Sequence, residues 1–167
     1  MSSRNRWRSY SPPELEHREG DGWYVPVFDP EREGQLAVGT DIIEIARIQR
    51  TLNDFGDRFL RRVYTPRERE WYGTRVDELA ARFAAKEATS KALGTGIVGI
   101  RWQEMEVLPN RRGKPVLILH GRAARRARTL GLTEFSVSLT HSRTDAMAFV
   151  VASGPGSREG EQHGGED

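Results

Sequence analysis

The sequence predicts an α+β fold with the element order β-α-α-α-β-β-α-β-β. Three observations carry that expectation. Short apolar runs of strand type lie at both ends of the chain's body. Helical periodicity fills a long stretch after the first of them. Two further runs flank an Asn-Arg-Arg-Gly turn and read as a hairpin. Grouped helices with paired strands point away from a doubly wound sheet, which needs regular alternation.

The elements follow in order. Residues 36–43 form an apolar strand. Residues 44–52 form a helix with Ile45, Ile48 and Leu52 on one face and Arg47 and Arg50 off it, and a helical piece over 55–63 follows. Thr65-Pro66-Arg67-Glu68 is a capping box with proline at the first helical position, so a short helix starts there. Asp77 is placed to cap the longest helix, 78–93, which Gly94 ends. Its alanines at 80, 81, 84, 85, 88 and 92 let a neighbour pack very close. Residues 102–108 and 115–120 are the hairpin strands, 121–130 a basic helix, and 135–140 and 146–152 a last strand pair.

Composition limits the chemistry. The 167 residues suffice for one domain with a core and contain no cysteine, which removes disulfides, zinc thiolates and a thiol nucleophile and fits a cytoplasmic protein. No apolar run reaches the ~18 residues of a membrane span, and the Arg4, Arg6, Arg8 start lacks the apolar stretch of a secretory signal. The net charge of +2 hides a basic body: residues 35–152 carry +7, while 1–34 carry −2 and 153–167 carry −3. That implies an anionic partner. Residues 1–34 read as a partly ordered extension holding Trp7, Tyr10, Trp23, Tyr24 and Phe28, and 153–167 as a disordered acidic tail. Of 26 basic residues only Lys86, Lys91 and Lys114 are lysine, which marks positions where a compact ammonium is wanted over a guanidinium fork.

Several residues are out of character for a purely structural role. Phe83, Glu87 and Lys91 share a helix face at i, i+4, i+8. A plain surface pair is one reading. A buried carboxylate and ammonium beside a glycine loop, suited to metal and phosphate, is the other. Asp41 interrupts the apolar run Val38–Ile43, either as a helix N-cap or as a metal ligand at a strand end. Magnesium takes few protein carboxylates, and Asp41 with Glu87 would supply that number. His141 ends a strand among Ser138, Thr140 and Ser142, where it could donate to a phosphate. Arg122, Arg125, Arg126 and Arg128 read as a solvated helix surface. Arg58, Arg61 and Arg62 either face water or extend a docking patch.

The stretches VGTDIIEIARI (38–48), RFAAKEATSKALGTGI (82–97) and FSVSLTH (135–141), with the turn RRGKP (111–115), together resemble holo-acyl-carrier-protein synthases, in that family's order and spacing from about Leu36 to about Ala152. The resemblance implies the phosphopantetheinyl-transferase-like fold over 35–152. It also implies transfer of the 4'-phosphopantetheine arm of coenzyme A to a serine of an acidic apo acyl carrier protein, with Mg²⁺. On it, Asp41 and Glu87 bind the metal and Lys91 contacts the diphosphate. His141 contacts the nucleotide end, Gly94, Gly96, Lys114 and Pro115 line the nucleotide pocket, and Arg47 meets the carrier protein. The family's homotrimer, with sites between subunits, is implied as well. Glu87 and a metal-bound water are both candidates for the base that takes the serine proton. A basic nucleic-acid-binding module is the competing reading of the +7 body, but it has no base-reading motif and leaves Asp41 and Glu87 without a role.

Overall fold

Alternating burial along β1 (Leu36–Glu44), β4 (Glu134–His141) and β5 (Asp145–Ser153) makes each strand one-sided. They pair antiparallel in the order β1-β5-β4. The computed structural model describes residues 36–96 and 98–154, so the expected 1–34 extension, and the expected tail apart from Ser153 and Gly154, lie outside the described residues. Between β1 and the β4–β5 hairpin come α1 (Ile45–Val63), α2 (Pro66–Tyr72) and α3 (Val76–Ala92), then the two-stranded sheet of β2 (Met105–Pro109) and β3 (Pro115–Leu119), then α4 (Gly121–Thr129). The architecture is the α+β order read from the sequence.

Four local details correct that reading. The helical pieces 44–52 and 55–63 are one element, broken only at Gly56, whose φ of 46° and ψ of −127° are not helical. Asp77 is not a cap: Arg75 holds that place, and Asp77 lies in the first turn, where its charge favours the positive helix end. Residues Trp102–Glu104 form a 3₁₀ turn rather than the start of a strand, because the Glu104 amide closes back on the Arg101 carbonyl. The last strand continues through Ser153. The capping box at Thr65 and Glu68 forms as its sequence dictates.

α3 lies across the buried face of the three-stranded sheet, and small side chains set how near it comes. Gly39 on β1, Ala146 and Ala148 on β5, and Ala84, Ala85 and Ala88 on α3 are all buried. A Cβ at Gly39 would overlap the Ala88 carbonyl oxygen and stand 2.8 Å from its carbon. Helix backbone and strand backbone are therefore in direct contact, which leaves no room for even a methyl group.

An ionic cluster lies inside the protein. Lys86 and Glu68 are each fully buried, and the Lys86 ammonium donates to Glu68 Oε2 (2.8 Å), to the Trp102 carbonyl (3.1 Å) and to the Met105 carbonyl (2.5 Å). Glu68 also accepts from the amides of Thr65 and Val107. Burial pulls the Lys86 ammonium below its ordinary range, and the Glu68 charge pushes back. Every donor of the ammonium has an acceptor, which is what makes a buried charge tolerable. Beside it, Phe83 stacks on Trp102 with ring centroids 4.8 Å apart.

Gly39→Ala is expected to lower stability by at least about 1–3 kcal/mol, the usual cost of overpacking. Urea denaturation measures it. Near-native stability would mean that α3 can move off β1 at little cost.

Candidate active site

The contact at Gly39 sets the site's geometry. Asp41 lies two residues further along β1, on the same face, and so points toward the end of α3. Glu87 and Lys91, one turn apart on α3, arrive beside it. The Lys91 ammonium donates to Asp41 Oδ1 at 2.7 Å and to the Thr40 carbonyl at 2.8 Å. Asp41 is mostly enclosed, with 19% of its side chain exposed, whereas Lys91 is half exposed.

Glu87 titrates abnormally. Its partial burial and, after that, the Asp41 charge raise its pKa, while Lys91 and Arg47 pull it back down. Those four charges therefore act on one another: two carboxylates that repel, an ammonium bridging toward one of them, and a guanidinium at the rim. Arg47, exposed on the first turns of α1, lines a shallow recess with Ile42, Ile43, Glu44 and Asp145. The i, i+3 spacing would let Arg47 pair with Glu44. Instead Arg50 approaches Glu44 at 3.8 Å, and Arg47 makes no ion pair among the described residues.

The expectation of a buried Glu87–Lys91 pair is corrected in two ways. Lys91 pairs with Asp41 rather than Glu87. The two residues also sit at the rim of the α3–sheet contact, not inside it, because β1 is an edge strand and solvent reaches past it. The lysine that is buried on this helix is Lys86.

His141 is exposed at the end of β4. Register places it in the row Ile43–Ala146–His141, on the same sheet face as Asp41 and two strands away, a Cα separation of roughly 12 Å by strand spacing. Gly94 and Gly96 follow α3 directly, with φ of 66° and 54°, a backbone region that favours glycine. Lys114 and Pro115 stand apart on the β2–β3 hairpin. The Lys114 amide donates to Asn110 Oδ1, and no hydrogen bond or ion pair among the described residues ties the turn to Asp41. Sequence reasoning passes over two residues that shape the site. Gly39 is one small residue inside an apolar strand, and Glu68 is accounted for by its capping box, so neither signals a long-range contact.

Comparison with known proteins identifies the family. Residues 37–148 match the family model of the 4'-phosphopantetheinyl transferase superfamily. A holo-[acyl-carrier-protein] synthase of Herpetosiphon aurantiacus is 49% identical over 128 residues, covering 71% of this chain and 99% of its own. The crystal structure of the Helicobacter pylori holo-[acyl-carrier-protein] synthase in complex with coenzyme A superposes with a TM-score of 0.65 at 30% identity, over 70% of this chain and 99% of that one. A Bacillus anthracis holo-(acyl-carrier-protein) synthase in complex with CoA (3',5'-ADP) gives 0.59 at 36% identity, over 71% and 96%. A family model matched over residues 37–148 and a relative 49% identical along 99% of its length agree with the fold, and the chain belongs to the holo-[acyl-carrier-protein] synthases of the 4'-phosphopantetheinyl transferase superfamily.

Proposed function

We propose that the chain transfers the phosphopantetheine arm of coenzyme A to a serine of an apo acyl carrier protein with the help of Mg²⁺, releasing adenosine 3',5'-bisphosphate. The observation that carries this is the mutual placement of Asp41, Glu87 and Lys91. The serine oxygen forms a bond to the phosphorus that bears pantetheine, and the bond from that phosphorus to the bridging diphosphate oxygen breaks. Such a reaction asks for in-line positioning and charge neutralisation more than for covalent help.

Asp41 and Glu87 fit a magnesium ion. No group of three or more His, Cys, Asp or Glu residues suited to a metal occurs among the described residues, and magnesium needs only one or two carboxylates. Burial and, after it, the Asp41 charge raise the pKa of Glu87, and a cation held by both carboxylates would offset their repulsion. Bound there, Mg²⁺ would neutralise the diphosphate. Lys91, half exposed and resting on Asp41, is free to turn toward the departing phosphate, where a compact ammonium offsets the developing charge. Glu87, directly or through a water, would take the serine proton. Gly94, Gly96, Lys114 and Pro115 line the nucleotide pocket, and His141 contacts the nucleotide end.

Two surfaces support the partners. Along α1, Phe55 is exposed and lines a groove with Thr51, Phe59, Arg58 and Arg62, a basic and apolar strip continuing from Arg47 and matched to an acidic amphipathic carrier helix. The sheet face away from α3 carries Leu36, Val38, Ile42, Met147 and Phe149, each at least 40% exposed and aligned by the register of β1 and β5. An apolar face of that kind suits assembly with further copies of the chain, as a homotrimer. No helix among the described residues is long and apolar enough to cross a membrane. Use of coenzyme A by a cysteine-free chain fits the cytoplasm.

Asp41→Ala and Glu87→Ala are each expected to cut transfer by roughly 100-fold or more without changing the circular dichroism, and chelation of the wild type should do the same. The assay is mass spectrometry of carrier protein incubated with coenzyme A and Mg²⁺. Full activity of either variant at saturating Mg²⁺ would remove that residue from the metal site.

Arg47→Glu is expected to raise the carrier KM and flatten its rise with salt while leaving coenzyme A affinity unchanged, because an exposed charge acts on encounter over a Debye length of about 8 Å. Equal losses for both substrates would place Arg47 in the nucleotide pocket instead.

Phe149→Glu is expected to convert an assembly of three 18.9 kDa chains into monomers in sedimentation, with activity falling in parallel. A wild type that sediments as an active monomer would exclude the trimer.

A further inference from the structure

The four arginines of α4 are alike in sequence but not in position. Arg122, Arg125 and Arg128 are exposed, while Arg126 is half-buried. Its Nε donates to the Leu93 carbonyl at 3.1 Å, at the C-terminal end of α3. Its terminal nitrogen Nη2 lies 3.7 Å from where a Cβ on Gly94 would be. The guanidinium thus lies against the start of the Gly94–Gly96 loop, and among the described residues its two terminal nitrogens make no hydrogen bond or ion pair.

This placement is held from several sides. The Glu104 carboxylate accepts from the Arg122 amide at the first turn of α4 and from the Arg101 amide on the preceding turn. Ala123 and Ala127 bury their side chains in a second apolar cluster with Leu93, Ile100, Met105 and Leu132. Arg126 is therefore presented by a fixed helix to one carbonyl, and the other half of its fork remains available. A carbonyl at a helix end needs one donor. A guanidinium has five, in a planar fork that can hold a protein carbonyl on one edge and a phosphate on another.

We infer that Arg126 is a binding and positioning residue for the anionic nucleotide end of coenzyme A: its Nε fixes the entry to the glycine loop, and its terminal nitrogens meet a phosphate laid over that loop. The inference rests on the reading of Gly94–Gly96 as part of the nucleotide pocket. It assigns the site a further cation besides Lys91 and Lys114, on a different element. It also separates Arg126 from its three neighbours, whose charge is solvated.

The test is calorimetric titration of coenzyme A, with Mg²⁺, into the full-length wild type, Arg126→Gln, Arg126→Lys and Arg125→Gln, alongside melting temperatures and carrier KM. Arg126→Gln should weaken coenzyme A roughly tenfold, as expected for a lost charge-assisted hydrogen bond. It should weaken adenosine 3',5'-bisphosphate by the same factor and leave carrier KM and melting temperature unchanged. Arg126→Lys should keep most of the loss, because one ammonium cannot hold the Leu93 carbonyl and a phosphate together. Arg125→Gln, which removes the same charge from the same helix, should bind as the wild type does. Wild-type affinity in Arg126→Gln would overturn the inference alone. So would a lowered melting temperature with equal losses for both substrates, since that is the signature of a helix cap only. A wild type that binds no coenzyme A would overturn the underlying reading as well.

Discussion

The contact between Gly39 and the backbone of α3 at Ala88 is the constraint on which the rest of the site depends. A sheet and a helix normally meet through interlocking side chains. Here glycine on one side and alanines on the other let the two backbones touch. Glu87, adjacent to Ala88, and Lys91, a turn further, are short or must reach sideways, and Asp41 is only two residues from the contact. A spacing larger by one methyl group would pull the Lys91 ammonium from the 2.7 Å contact with Asp41 and weaken the charge coupling between the two carboxylates. Packing of small apolar residues and placement of charged ones are here the same event.

The rotation of α3 on the sheet needs a second fixed point, and Lys86 provides it. Its ammonium is held by a carboxylate from α2 and by carbonyls from the turn and strand that follow the glycine loop. Glu68 does double duty, closing the capping box of α2 and pairing with Lys86. Charges without solvent tolerate little misalignment, since each lost partner leaves a desolvated group. α3 is thus pinned on its buried side by Lys86 while its rim carries the two groups that would work on substrate. Two lysines five residues apart serve opposite ends: one enclosed and saturated with acceptors, the other half in water and able to change partners.

The surface charge follows a similar division. The body's +7 is not spread evenly in its consequences. Arg61 is paired with Asp57, and Arg82 with Glu78 under the ring of Tyr72. Arg47, Arg58 and Arg62 remain along α1 with Phe55, and Arg126 stands at the glycine loop. On the proposed function, an acidic protein and a polyanionic co-substrate would be drawn to neighbouring but separate surfaces.

The sequence alone shows the element order, the capping box at Thr65, the hairpin at 110–113 and the family, because these depend on local spacing and on motifs read in line. It also pointed to Asp41, Glu87 and Lys91, and the scarcity of lysine singled out Lys86 without saying why. The tertiary structure decided what local patterns do not contain. It paired Lys91 with Asp41 across 50 residues instead of with Glu87 one turn away. It made Lys86 the buried lysine, and it separated Arg126 from three other arginines on the same short helix. An i, i+4 spacing says which side chains can meet on a helix. Which of them do meet, and whether water is present, depends on the strand laid against that helix, and here a missing side chain at Gly39 set how close that strand could come.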